Sequence, residues 1–238
     1  MIGLADSFTR FCLSLGAGLL LLALSLQAQD FSWARGMGGP AEDLASDVTT
    51  DAADNVYATG YFGGTADFDP GTGVANLTSA GGHDIFVLKF DSSGRFVWAR
   101  GVGGANADAA NKVTVDAVGN VYTAGWFEGT ADFDPGVGVA NLPSTGDFSA
   151  FISKLDSGGN FVWAKLLSGA GHSESTGLAA DAAGNVYATG VFGGIVDFDP
   201  GAGVANMTSA GDDDVFVCKL DSAGNFVWAR RMGGSNYD

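Results

Sequence analysis

The chain has 238 residues, 38 of them Gly, with only 16% charged and a formal net charge of -16 from 27 acidic and 11 basic residues. Each helix-interior Gly costs about 1 kcal/mol relative to Ala, so this glycine content excludes a helical bundle, and 46% apolar residues exclude disorder. The acidic field repels phosphates and anionic membrane surfaces, which excludes nucleic acid as a partner and leaves cations and uncharged protein or carbohydrate ligands.

The first element is an apolar run at residues 11–26, FCLSLGAGLLLLALSL, between Arg10 and QAQD. It reads as a secretory signal peptide over 1–28, cut after Ala28, although Leu26 fits poorly where a small residue is preferred. The competing reading is an uncleaved anchor, which needs about 20 apolar residues to span a bilayer. The shorter run favours export, with no transmembrane span after cleavage, and a secreted, extracellular or cell-surface location. Cleavage removes Asp6 with Arg10, so the charge is kept, and removes Cys12, so Cys218 has no partner for an internal disulfide. Stability must then come from burial.

From residue 29 to 238 the chain repeats itself. Trp33, Trp98, Trp163 and Trp228 stand 65 residues apart, giving units at about 38–102, 103–167 and 168–232 with partial units at both ends. Asp51, Asp116 and Asp181 open DAADNVYATG, DAVGNVYTAG and DAAGNVYATG, while Asp91, Asp156 and Asp221 open DSSGRFVW, DSGGNFVW and DSAGNFVW. Asp accepts hydrogen bonds from turn amides, and Gly and Asn tolerate the left-handed backbone of a tight reversal, so each motif predicts a hairpin. In the second unit the four strands fall near 109–115, 120–127, 149–155 and 160–166, with DFDPG in the connection between the middle two. DIFVLKF and DVFVCKL are apolar on both alternating faces, which predicts sheets covered on both sides.

Four-stranded antiparallel units repeated in tandem predict an all-β fold, a β-propeller with about three complete blades. A solenoid would repeat every 20 to 30 residues or so, and a sandwich need not repeat. The stretches WARGVGGANADAANKVTVDAVGNVYTAGWFEG and GLAADAAGNVYATGVFGG resemble the bacterial β-propeller repeat family SBBP, over essentially the whole region after the signal segment. The resemblance implies an exported or surface-associated bacterial protein. The DFDPG insertion in every unit departs from that pattern. Both ends offer the same Trp strand, so the propeller is expected to be incomplete, with a longer native chain or self-association covering its open faces.

DFDPG is the strongest candidate site. Asp67 and Asp69, Asp132 and Asp134, and Asp197 and Asp199 offer paired hard oxygen ligands suited to calcium. The plainer reading, which carries more weight, turns Phe68, Phe133 and Phe198 inward and spends the Asp side chains on turn amides. His83 and His172, whose counterparts one unit away are Phe148 and Ala107, are expected in surface loops. Asp212, Asp213 and Asp214 are expected in a solvated loop leading into a strand. Arg35, Arg100, Lys165 and Arg230, with Lys89, Lys154 and Lys219, recur with the repeat and are expected to cover Trp rings or neutralise nearby Asp.

Two functions remain. The favoured one is an exported, non-catalytic binding or structural module, and the alternative is a polysaccharide-active hydrolase or lyase. An enzyme should gather its non-repeating polar residues at one end, whereas His172, Glu174 and Trp126 are scattered along the chain.

Overall fold

The computed structural model describes residues Trp33–Asn236, so the signal segment lies outside the described residues. All the strand ladders described are antiparallel, and they follow the 65-residue period. The first unit consists of β1 (Asp43–Thr50), β2 (Val56–Asp67), β3 (Asn76–Phe90) and β4 (Phe96–Gly104). The second has β5 (Asp108–Val115), β6 (Val121–Phe127), the short β7 (Thr130–Asp132) and β8 (Asn141–Pro143), β9 (Ser149–Leu155) and β10 (Phe161–Gly169). The third has β11 (His172–Ala180), β12 (Val186–Asp197), β13 (Asn206–Leu220) and β14 (Phe226–Met232). Among the described residues no helix is long and apolar enough to cross a membrane.

The predicted turns form as their chemistry dictates. Asp116 Oδ1 accepts the amides of Val118 at 3.0 Å and Asn120 at 2.9 Å, and its Oδ2 accepts the Asn120 side-chain amide at 2.7 Å and the Tyr122 hydroxyl at 3.0 Å. Asp51 and Asp181 repeat all four bonds in the flanking units. One side chain thus replaces the backbone partners that the reversal leaves open.

DFDPG sits at the tip of a long hairpin. Gly64, Gly129 and Gly194 take φ of +61°, +63° and +73°, and this left-handed kink folds the hairpin back over its own sheet. Phe68, Phe133 and Phe198 are consequently buried, as expected. Phe133 packs 5.3 Å from Phe127 and 4.9 Å from Phe151, ring centre to ring centre, and the other two units repeat the cluster. Each such ring contributes about 1.5–3 kcal/mol by burial.

Three devices join neighbouring units. The first strands pack together, β1 on β5 and β5 on β11. The Gly-Gly end of β4 pairs with β7, through Gly103↔Asp132 and Gly104↔Ala131, and β10 pairs with β12 in the same way through Ser168↔Asp197 and Gly169↔Val196. Finally, the Trp98 and Trp163 indoles each donate to a carbonyl in the next unit, Ser157 and Ser222, at 3.3 Å. The basic residues divide their work: Arg100 and Arg230 cover Trp98 and Trp228, whereas Lys89, Lys154 and Lys219 lie over Tyr57, Tyr122 and Tyr187 at 4.9–5.0 Å. Cys218 is fully buried, and burial pushes its thiol up to about 12.

Candidate functional site

In every unit the strand register sets three positions side by side at the same end of the sheet. Glu42 and His83 flank Gly63 in the first unit, Ala107 and Phe148 stand by Glu128 in the second, and His172 and Asp213 flank Gly193 in the third. A fourth position, two residues before the middle one, carries Tyr61, Trp126 and Val191. The scaffold around these positions repeats nearly residue for residue, yet here only the middle glycine recurs, at 63 and 193, and the other three positions differ in every unit.

Their contacts differ accordingly. In the first unit Tyr61 donates to Glu42 Oε1 at 3.0 Å and packs its ring 4.7 Å from His83. Trp126 meets Phe148 edge-on at 5.8 Å in the second. In the third, His172 Nε2 is hydrogen-bonded to Asp213 Oδ1 at 2.7 Å. Only glycine at 193 permits that bond, because a Cβ there would stand 2.5 Å from His172 Cε1 and 2.7 Å from Asp213 Oδ1. Phe148 also lies 5.2 Å from His172, so the edge is continuous from the second unit into the third. Just below it, Asn111 on β5 donates to Glu174 Oε1 on β11 at 2.8 Å.

These contacts correct three expectations. Trp126, His172 and Glu174 are scattered only along the sequence, and the fold gathers them on one edge. His83 lies within β3 and His172 opens β11, so neither is a loop residue. Asp212–Asp214 lie within β13, with Asp214 fully buried and paired to Arg231 at 3.0 Å. The overlooked signal is vertical: aligned at the 65-residue period, columns 42/107/172, 61/126/191 and 83/148/213 mix acids, histidines, large aromatics and small residues.

Directly beneath the edge, the residue after each of two of these positions forms the unit junction. Asp84 and Asp108 occupy the first junction and are 5% and 0% exposed, while Ser149 and Ser173 occupy the second. Burial pushes the Asp84 carboxyl up to about 6, against an amide from Ala80. Burial likewise pushes Asp108 up to about 7, against amides from Gly104 and Glu128, with the Asp84 and Glu128 charges adding to the rise.

The DFDPG carboxylates are placed otherwise. Asp67 Oδ1 accepts the amides of Asp69 at 3.0 Å and Ala75 at 2.9 Å, and Asp69 Oδ1 accepts that of Gly71 at 2.8 Å. Asp132 with Asp134, and Asp197 with Asp199, repeat the same bonds. The Ala75 and Asp69 amides hold the Asp67 carboxyl below the usual carboxylate range. Among the described residues no three His, Cys, Asp or Glu side chains gather as a metal-binding group.

No family model matches the chain. It is similar to an uncharacterised WD repeat-containing protein of Acanthamoeba polyphaga mimivirus, 25% identical over 227 residues. It also resembles the regulatory protein FlaEY of Caulobacter vibrioides, 27% identical over 122 residues, or 51% of the chain. The first match covers 84% of the chain but only 16% of the viral protein, and the second covers 13% of the bacterial one. The WD repeat relative and the repeated antiparallel sheets agree on a repeat protein of β-propeller type.

Proposed function

We propose that the chain is an exported, non-catalytic β-propeller module that binds carbohydrate on its variable edge. One observation carries a ligand site on this edge: the departures from the repeat coincide at one end of neighbouring sheets, a gathering that an enzyme and a binding module share, so the choice between them rests on the carboxyls below. A repeat that served only to build the fold would have no reason to vary there. Half-buried aromatic rings at Tyr61, Trp126 and Phe148 offer flat apolar platforms for sugar faces, and Glu42, Glu128, His83, His172 and Asp213 surround them with hydroxyl-bonding groups. The acidic field favours an uncharged ligand over an anionic one. The carboxyls with raised proton affinity, Asp84 and Asp108, are buried under the edge and out of reach of a glycosidic bond, which supports binding over hydrolysis.

The test is retention of the full chain on a panel of neutral polysaccharides, compared with a Trp126→Ala variant of unchanged melting temperature. The proposal expects retention on at least one polysaccharide and its loss in the variant, by tenfold or more. Equal retention of both proteins, or none of either across the panel, contradicts it.

A further inference from the structure

The junction between the first two units holds two carboxyls without a cation. Asp84 Oδ2 accepts the Ala80 amide at 3.0 Å, but Asp84 Oδ1 is buried and has no hydrogen-bond partner. Asp108 Oδ2 accepts the Gly104 amide at 2.7 Å, and its Oδ1 takes the longer Glu128 amide at 3.3 Å. The unpartnered Asp84 oxygen and Asp108 Oδ2 face the same point, lying 2.7 and 2.8 Å from where a Cβ on Gly103 would stand. Neither carboxyl is in an ion pair among the described residues.

The chain's own repeat shows how this position is otherwise made neutral. At the next junction both acids are exchanged together, for Ser149 and Ser173, and Ser173 Oγ donates to the Leu167 carbonyl while accepting the Ala150 amide. In the third unit the acid is retained as Asp214 but receives Arg231 at 3.0 Å, where the first unit has Gly101. Two carboxylates this buried cannot both stay ionised without a counter-charge.

We propose that Asp84 and Asp108 share a single proton between Asp84 Oδ1 and Asp108 Oδ2, and that this proton locks the first junction. It comes from solvent, and no other group is consumed. The other titratable groups around the pair do not supply it: Glu128 bears on Asp108 as a further negative charge, His83 turns to Tyr61 and Glu42, and Asp132 is occupied by the amides of Asp134 and Ala140. Ionisation of the pair above neutral pH puts two charges at one point and loosens the junction.

Because burial raises both carboxyls in the folded state, their stabilising contribution is full below the unfolded value near 4. It is lost as pH rises through the folded values of about 6 and 7. The test follows melting temperature from pH 5 to pH 8 in the full chain and in an Asp84→Ser, Asp108→Ser double variant that copies the second junction. The wild type should lose several degrees relative to the variant across this range. Infrared spectroscopy gives a second readout, independent of the variant's folding: at about pH 5.5, where ordinary carboxyls are ionised, the wild type should keep a protonated carboxyl band. Parallel melting curves, or a spectrum without that band, overturn the proposal. So does a rise in the wild-type melting temperature with calcium at pH 8 that the variant lacks, which would assign the pair to a metal ion.

Discussion

The indole of Trp98 lies on Gly159, a residue of the next unit, with its Cδ2 atom 3.1 Å from where a Cβ on that glycine would be. The contact recurs between Trp163 and Gly224, again at 3.1 Å, and between Trp33 and Gly94 at 2.6 Å. Every one of these glycines also has a positive φ, +75° to +79°, so both backbone and space demand glycine. The Trp repeat and the Asp-x-x-Gly repeat are therefore two halves of one joint between units.

Substituting Gly159→Ala should accordingly cost about 1–3 kcal/mol, from left-handed strain together with displacement of the Trp98 ring. Chemical denaturation checks this. Gly158→Ala, next to it in the same turn, has no positive φ and should cost clearly less.

The turn aspartates predict acid sensitivity. Burial opposes ionisation of Asp116, but its bonds to Asn120, Tyr122 and Val118 outweigh that and hold its carboxyl below the usual range. At Asp221 the Asn225 side-chain amide does the same. A lowered folded value contributes stability above the unfolded pKa and loses it as pH falls through the folded one, so stability should drop below about pH 4. Asp116→Ala should cost about 1 kcal/mol of stability at pH 7 for this partly exposed group, seen as a lower melting temperature, and should shrink the further loss between pH 5 and pH 3. Melting curves at the three pH values decide it.

Much of this fold is legible in the sequence because its signals are local. A turn needs its Asp, Gly and Asn within five residues, and the second-unit strands predicted near 109–115 and 149–155 appear as Asp108–Val115 and Ser149–Leu155. Phe133 reads as inward because Asp-Pro-Gly is turn chemistry beside it. The edge and the junction are not local. Glu42, Gly63 and His83 are about twenty residues apart, and they meet only through a register shifted by a bulge between Ala45 and Asp47. The corresponding segments read Ala-Ser-Asp, Ala-Asn-Lys and Ser-Thr-Gly, a set with no shared bulge signal. The Asp84–Asp108 pair is hidden for the same reason, since its members lie on strands of different units.

Calcium and the turn make opposite predictions for Asp134. Its Oδ1 accepts the Gly136 amide at 2.8 Å, and its Oδ2 closes on Gly138 so tightly that no Cβ fits there. On the turn reading, Asp134→Ala lowers the melting temperature by the same amount in chelator and in millimolar calcium. Ion binding at the loop would instead raise the wild-type melting temperature with calcium and spare the variant that rise.

Hydroxyl-radical footprinting of the chain with a polysaccharide that retains it tests the binding edge most directly. Tyr61, Trp126, Phe148 and His172 should become protected from oxidation, while Trp98 and Trp163, held in the joints between units, should react as they do in the free protein. Protection confined to the DFDPG hairpin tips, or a pattern unchanged by the bound polysaccharide, would contradict the assignment of this edge as the binding site.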